Sequence, residues 1–593
     1  MGRLKVPLLA CAVIVVALVA AGCGGSGGGD EDTLVFGTAA DPTALDGALI
    51  SDGESIRVLY QMTEGLTALA PGTSEIVPSL ATEWTTSDDG LAWTFTLRED
   101  VTFHDGEPFN AEAVCFNFER WFNFPPALQG DGTTYYWQYG FGGGFKNPAE
   151  GSPTAEDSLY ESCEAVDEST VTLNLTKPSA TILSTLTLPS LHILSPSALE
   201  EFEADAGAQN DDGIFQPSGT YATEHPTGTG PYKFESWTVG EQLVLVRNDD
   251  YWGEEAQTEK LIFRPIGDNA ARLQALQTGE IQGYDLVEPQ DVSTIEGDDN
   301  LQLLERPPFN VGWVTINHAK PPMDQLEVRQ AVSHAINREE LVDSFYGGRG
   351  VVATQFMPQE IVGYADDVPT YEYNPQKARQ LLQQAGLTLP VEIEFWYPTD
   401  VTRDYMPDPK RNFEAMAADL NAAGFRVTAK TAPWRPDYVS RVNGGTAGHL
   451  NLIGWIADFA DADNFIGTFF QSPSDQWGFE NPEIHDLLNA AEEESDPAER
   501  ERLYQEANRT IMAFAAGVPY VHAKAALAFN SNIQGFVPSP VGVGGESFAT
   551  VSAGDAEEDT EETEETEETE ETEETEETEE TEETETEETE TEE

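Results

Sequence analysis

Apolar and polar positions change their spacing along this chain, and the spacing names the element. WTFTL (Trp93 to Leu97), VTLNL (Val171 to Leu175), QLVLV (Gln242 to Val246) and VEIEFWY (Val391 to Tyr397) are β-rich or alternate apolar with polar residues, which predicts strands. LNLIGWI (Leu450 to Ile456) is apolar enough to predict a buried strand. Helices announce their starts. Asn374-Pro375, Asn481-Pro482 and Asp496-Pro497 each put a capping side chain before a proline at the first helical position, and Gly386 ends the first of these helices. Val328, Ala331, Val332, Ala335 and Ile336 recur at helical spacing and predict one apolar face. Asp324 with Glu327 predicts a capping box at the start of that helix, and Gly347-Gly348 its end. Strands and helices alternate irregularly. The expectation is therefore α/β or α+β lobes rather than a barrel or a repeat array.

The first 22 residues have a different pattern. Arg3 and Lys5 precede an uncharged apolar run from Val6 to Ala21, short for a membrane span and suited to an export signal. The following VAAGCGGSGGGD resembles a bacterial lipoprotein box, which implies lipidation of Cys23 and a mature chain that begins there. An ordinary signal peptide cut at an A-x-A-like site is the alternative. Residues 23–31 then form a flexible tether. Cys11 lies in the signal, so Cys115 and Cys163 remain. In an exported protein two such cysteines are expected to form a disulfide, the alternative being two separate buried thiols.

Composition narrows the class. The chain has 593 residues, a length that suits about four domains or lobes. It carries 30 basic against 107 acidic residues. Nucleic acid and anionic lipid headgroups are poor partners for it, because both need clustered Lys and Arg. Residues 555–593 are almost only Glu and Thr; 26 of these 39 are acidic, and the segment is expected to be disordered. The rest still holds −51 of the net charge of −77, an acid-rich surface of the kind that salt screens. With 11 Trp, 18 Tyr and 29 Phe the body has ample material for a core.

Chemical motifs are scarce. No P-loop, S-x-x-K set or H-E-x-x-H occurs, and the GFGGGF run (Gly140 to Phe145) lacks the lysine of a phosphate loop. The eight histidines are scattered without metal-ligand spacing. Nothing argues for an enzyme, a metal or a cofactor.

Several phrases, taken in order, resemble the family-5 extracellular type of solute-binding protein, which serves peptide, nickel and related ABC importers. They are DTLVFGTAADPTALDGA, VLYQMTEGLTAL, PSLATEWTTSDDGLAWTFTLREDVTFHDGEPFNAEAV, GTGPYKFESW, RNDDYWGE, LQTGEIQGYDL, VRQAVSHAINREELVDSFYGGRG and GWIADFADADNF. The likeness runs from about Asp32 to Gly554. It implies a bilobed, periplasmic-binding-protein-like α/β fold with two hinge crossings and an extra inserted lobe. The expected division is 32–65, 228–312 and 522–554 for lobe I, 66–227 for the inserted lobe and 313–521 for lobe II. It further implies a monomeric receptor that closes on a di- or oligopeptide and delivers it to a membrane permease and ATPase. A nickel or metal chelate, a sugar or a haem-like compound is the alternative solute.

In peptide binders of this type an Asp three residues after a Trp holds the ligand ammonium. That role maps onto Trp455 and Asp458, with Asp461 and Asp463 nearby. Plain acidic surface is the alternative for all three acids. A calcium loop would need the Gly and terminal Glu of an EF-hand, which are missing. An Arg before a P-Y-x-P-like turn lies near the site in the dipeptide branch. VTRDYMPDPKRNF puts Arg403 there as the partner for a ligand carboxylate, with Asp404 where that branch often has Pro and with Arg411 on the helical side of the turn.

Overall fold

The computed structural model of the chain describes residues 32–130, 133–209, 215–541 and 545–554. The export segment, Cys23 and the Glu/Thr tail lie outside the described residues.

Three sheets organise the body. The first has seven strands in the order Tyr232–Thr238, Gln242–Arg247, Lys260–Pro265, Thr33–Thr38, Gly283–Tyr284, Ala526–Asn530, Leu301–Glu305. Thr33–Thr38 runs parallel to Lys260–Pro265 with Thr33 opposite Lys260, so the start of the described chain is stitched to a strand far along it. The second sheet has six strands, Gly350–Val352, Gly517–Ala523, Asn310–Ile316, Leu450–Ile456, Val391–Thr399, Phe425–Pro433. The third is a four-stranded antiparallel sheet, Ala81–Thr86, Ala92–Leu97, Thr170–Leu175, Tyr160–Asp167, with helix Ala111–Phe122 against it. Cys115 on that helix and Cys163 on the edge strand form a disulfide, their Cα atoms 5.2 Å apart.

Strand burial follows the side-chain period. In Val391–Thr399 the buried positions Val391, Ile393 and Phe395 alternate with exposed or half-buried ones, whereas the first five residues of Leu450–Ile456 are all buried. The predicted caps are in place. Asn374 accepts from Lys377 N, Asn481 from Glu483 N, and Asp496 from Ala498 N and Glu499 N.

One expected helix divides into two. Asp324 and Glu327 make no capping box; the helix is Leu326–Ala335, and its cap position Gln325 makes no side-chain capping bond. Turns before it take up the backbone instead: Met323 N bonds Lys320 O and Gln325 N bonds Pro322 O, which delays the first helical residue. The apolar face is as predicted, with Val328, Ala331, Val332, Ala335 and Ile336 all fully buried. Ile336 turns extended, and Asn337 caps a second helix, Arg338–Phe345, by accepting from Glu340 N. Gly347 and Gly348, both left-handed, follow that second helix.

Two segments carry the chain between the first and second sheets. Leu301–Glu305 leads through Arg306 to Phe309 into Asn310–Ile316, and Gly517–Ala523 leads through Lys524 and Ala525 into Ala526–Asn530. The crossings are tied together where Arg306 N donates to Ala525 O at 2.8 Å. The third-sheet lobe closes over the second. Ala180 N donates to Glu492 O at 3.0 Å, Lys177 Nζ lies 3.3 Å from the Glu492 carboxylate, and Tyr136, Leu188 and Phe459 form a small apolar cluster.

Candidate functional site

The Leu450–Ile456 strand delivers Trp455 and Asp458 to the contact between lobes. It lies against Asn310–Ile316, with Val311 opposite Trp455 and Gly312 opposite Gly454. A Cβ at Gly454 would sit 2.3 Å from Val311 O and 2.5 Å from the Tyr405 ring, so the glycine before the tryptophan is needed for this approach. Beyond the strand Ala457 N donates to Phe309 O at 2.9 Å, and the chain then leaves the sheet.

Asn464 organises the turn that follows. Its Oδ1 accepts from Asp458 N at 2.8 Å and from Trp455 Nε1 at 3.1 Å, while its Nδ2 donates to Asp458 Oδ2 at 3.4 Å. The other carboxylate oxygen, Oδ1, accepts from the Tyr136 hydroxyl at 2.8 Å. Tyr136 comes from the inserted lobe, on the wide helical turn Tyr136–Gly140. Burial pushes the Asp458 carboxyl up to about 6, against the pull of the Tyr136 and Asn464 hydrogen bonds. No cation contributes to that balance. Among the described residues the side chains that donate to the Asp458 carboxylate, Tyr136 and Asn464, are neutral.

The neighbouring acids do other things. Asp461 takes both arms of Arg500, Oδ2 from Nη1 at 2.7 Å and Oδ1 from Nη2 at 2.9 Å, and so pins the loop to helix Pro497–Ala513. Asp463 is pushed up to about 7 by burial, with Asp461 and Glu492 adding to the effect.

Arg403 lies elsewhere. Its Nη1 donates to Thr402 O at 3.1 Å and its guanidinium lies over the Trp434 ring at 5.2 Å. It lines a pocket between lobes together with Asp404, Glu288, Tyr346, Arg349 and Lys524, a pocket that Asp458 does not line. Asp404 is pushed up to about 6 by burial and by the nearby Asp285 and Glu546, with Arg306 and Arg403 opposing. Arg411 is exposed and pairs with Asp408. The half-buried His104 and the buried His318 and His522 each turn a ring nitrogen to a backbone carbonyl, of Gly230, Ala516 and Asn310.

Three groups escape sequence reasoning. Tyr136 and Asn464 hold Asp458 but belong to no motif. The aromatic crowding of TTYYWQYGF and the Asn six residues after the Asp were their only signals. The third is a buried ionic network of Arg57, Asp285, Arg306 and Glu546, drawn from distant parts of the chain.

The family model for "Bacterial extracellular solute-binding proteins, family 5 Middle" matches residues 75–477. The chain belongs to family 5 of the bacterial extracellular solute-binding proteins. Among the relatives of this family-5 protein, the dipeptide-binding protein of Escherichia coli K12 is 30% identical over 556 residues, which is 91% of this chain and 97% of the relative. Heme-binding protein A of Haemophilus influenzae is 30% identical over 527 residues, 86% of this chain and 91% of the relative. Among solved structures, the ABC transporter-associated periplasmic binding protein DppA from Helicobacter pylori, in complex with the peptide STSA, matches with a TM-score of 0.73 at 29% identity, over 88% of this chain and 98% of that one. The fold is thus the two-lobed periplasmic-binding-protein architecture with two crossings and an inserted lobe. Among the described residues no helix is long and apolar enough to cross a membrane.

Proposed function

We propose that this family-5 protein is the receptor of an ABC importer for short peptides with a free amino terminus. The observation that carries this reading is Asp458: a half-buried carboxylate at the contact between lobes, aligned by Asn464 and Tyr136, raised in pKa and, among the described residues, held by neutral side chains. A peptide ammonium supplies the missing charge. Burying that ammonium without a partner would cost several kcal/mol, so a closed site that takes one must offer a carboxylate. Trp455 walls the site, the lobes, divided as the sequence suggests, close about the two crossings, and Arg403 is the proposed partner of the ligand carboxylate from the separate inter-lobe pocket that it lines. The peptide-binding relatives support the reading.

The same proposal extends to the ends of the chain. Export and lipidation at Cys23 hold a monomeric receptor at the outer face of the cytoplasmic membrane, beside the permease and ATPase. The Glu/Thr tail is a solvated spacer, since it has almost no apolar side chain to bury.

Mass spectrometry of the small molecules that copurify with the protein lacking residues 1–22 tests the solute class. Short peptides with free amino termini are expected. Recovery of haem or of a metal chelate in stoichiometric amount, with no peptide, contradicts the reading.

A further inference from the structure

The loop Lys177 to Ala180 of the inserted lobe meets the end of helix Pro482–Glu493 in the second-sheet lobe. That helix is poorly finished by its own sequence. Its last turn holds no basic residue, and Glu492, Glu493 and Glu494 set three acids on the negative end of the helix dipole. Glu494 turns extended, so the chain leaves without folding back over the last carbonyls. Groups from outside the helix take two of them up. Arg500 Nε donates to Ala491 O at 3.2 Å, and Ala180 N donates to Glu492 O at 3.0 Å. Lys177 brings a cation to the same end, its Nζ 3.3 Å from both oxygens of the Glu492 carboxylate. Gln471 Nε2 donates to that carboxylate at 2.6 Å from within the second-sheet lobe.

The loop is held in place on its own lobe. Thr176 N donates to Leu159 O at 2.8 Å, and Ser179 Oγ lies 3.1 Å from Thr181 Oγ1. Pro178 packs on the left-handed Gly90, where a Cβ would lie 3.2 Å from the proline. The third-sheet lobe leaves and re-enters the chain between the first-sheet strands Thr33–Thr38 and Tyr232–Thr238, so it travels with that lobe. Opening about the crossings therefore separates Lys177 and Ala180 from Glu492 and breaks each of these bonds. None of the three residues lines the inter-lobe pocket of Arg403.

We propose that this contact is a clasp: Lys177 and Ala180 finish the open end of helix Pro482–Glu493 when the lobes close, and thereby slow the release of the solute held between them. The clasp makes no demand on the chemistry of the solute, so it stands apart from the peptide reading above. It acts on residence time, because its bonds form after the solute has entered and must break before it leaves. The lysine side of the ion pair is 43% exposed and the glutamate side 17%, so salt weakens the pair and leaves the backbone bond.

Amide exchange resolved to single residues tests the clasp in wild type, in Lys177→Glu and in the charge swap that joins Lys177→Glu to Glu492→Lys, each ligand-free and with Ala-Ala. Lys177→Glu should speed exchange at Ala180 about tenfold. The swap restores an opposite pair and puts a cation on the helix end, so it should recover most of that loss. Thr185, whose N–H is bonded within the inserted lobe to Thr181 O, is the control and should not change. In stopped flow the release of Ala-Ala from Lys177→Glu should quicken by a similar factor with association nearly unchanged, and the gap from wild type should narrow at about 1 M salt. Equal exchange at Ala180 in all three proteins overturns the clasp. Equal acceleration at Thr185 also overturns it, since the loop would merely have loosened. Unchanged release of Ala-Ala beside faster exchange at Ala180 overturns the effect on residence time. A wild type that does not bind Ala-Ala contradicts the peptide reading instead, and exchange in the ligand-free proteins then decides the clasp by itself.

Discussion

Arg306 donates through Nη1 and Nη2 to the two carboxylate oxygens of Asp285, at 2.6 and 2.9 Å. Arg306 opens one crossing, and its backbone N is bonded to Ala525 of the other. Its Nε donates to Glu546 at 2.5 Å, and Arg57 reaches Asp285 from the other side at 2.6 Å. The hinge is thus anchored to the first-sheet lobe by charges that have almost no contact with water. Removing one partner from such a network leaves the others uncompensated, at a typical cost of about 3–5 kcal/mol.

Arg306→Met is therefore expected to lower the urea midpoint of the ligand-free protein markedly. Arg411→Met, at an exposed pair, should change it by no more than about 1 kcal/mol equivalent. Equal effects from the two substitutions would show that the buried network adds nothing beyond a surface pair.

The disulfide joins helix Ala111–Phe122 to the edge strand Tyr160–Asp167 across 48 residues. The chain-entropy model assigns a loop of this size about 4 kcal/mol. Replacing both cysteines with serine should loosen the inserted lobe most, read as faster amide exchange in Ala92–Leu97 and Thr170–Leu175 than in Leu450–Ile456. A uniform increase across all three strands would contradict a local role.

Three half-buried aspartates are raised above their ordinary value of 3.8: Asp404 and Asp458 to about 6, and Asp463 to about 7. A carboxyl raised on folding holds its proton more tightly in the folded state. Its contribution to stability is present at low pH and is lost as pH rises through the folded value. These groups therefore favour the ligand-free protein near pH 5 over pH 8. Asp458→Asn should raise the ligand-free Tm at pH 8 by about 1–2 °C, by about half as much at pH 5, and hardly at all below the ordinary carboxyl value. A fall in Tm at pH 8 would mean that the charged carboxylate is already satisfied without a ligand.

Local patterns revealed the elements, and distance along the chain hid the rest. The alternation in Val391–Thr399, the apolar run of Leu450–Ile456 and the Asn-Pro and Asp-Pro caps depend on neighbours within a few residues, so the sequence displays them. The Asp324–Glu327 pair had the right spacing for a box, but turns closing on Lys320 and Pro322 took precedence. The family phrase pointed to Trp455 and Asp458. Tyr136 meets Asp458 across 322 residues, and Arg57 meets Asp285 across 228. No periodicity signals a pairing that only closure of the lobes creates. In a chain with 107 acids, moreover, an unpaired carboxylate has no distinctive sequence mark.

The measurement that bears most directly on the account is a calorimetric cycle with wild type and Asp458→Asn, each titrated at pH 7.5 with Ala-Ala and N-acetyl-Ala-Ala. The substitution keeps the shape and removes the charge. Loss of the carboxylate from a closed ion pair should weaken Ala-Ala binding about a hundredfold or more, at about 1.4 kcal/mol per factor of ten. The acetylated peptide should bind weakly to the wild type and lose little more in the variant. Equal affinity of both proteins for Ala-Ala would contradict the account and leave Asp458 as acidic surface.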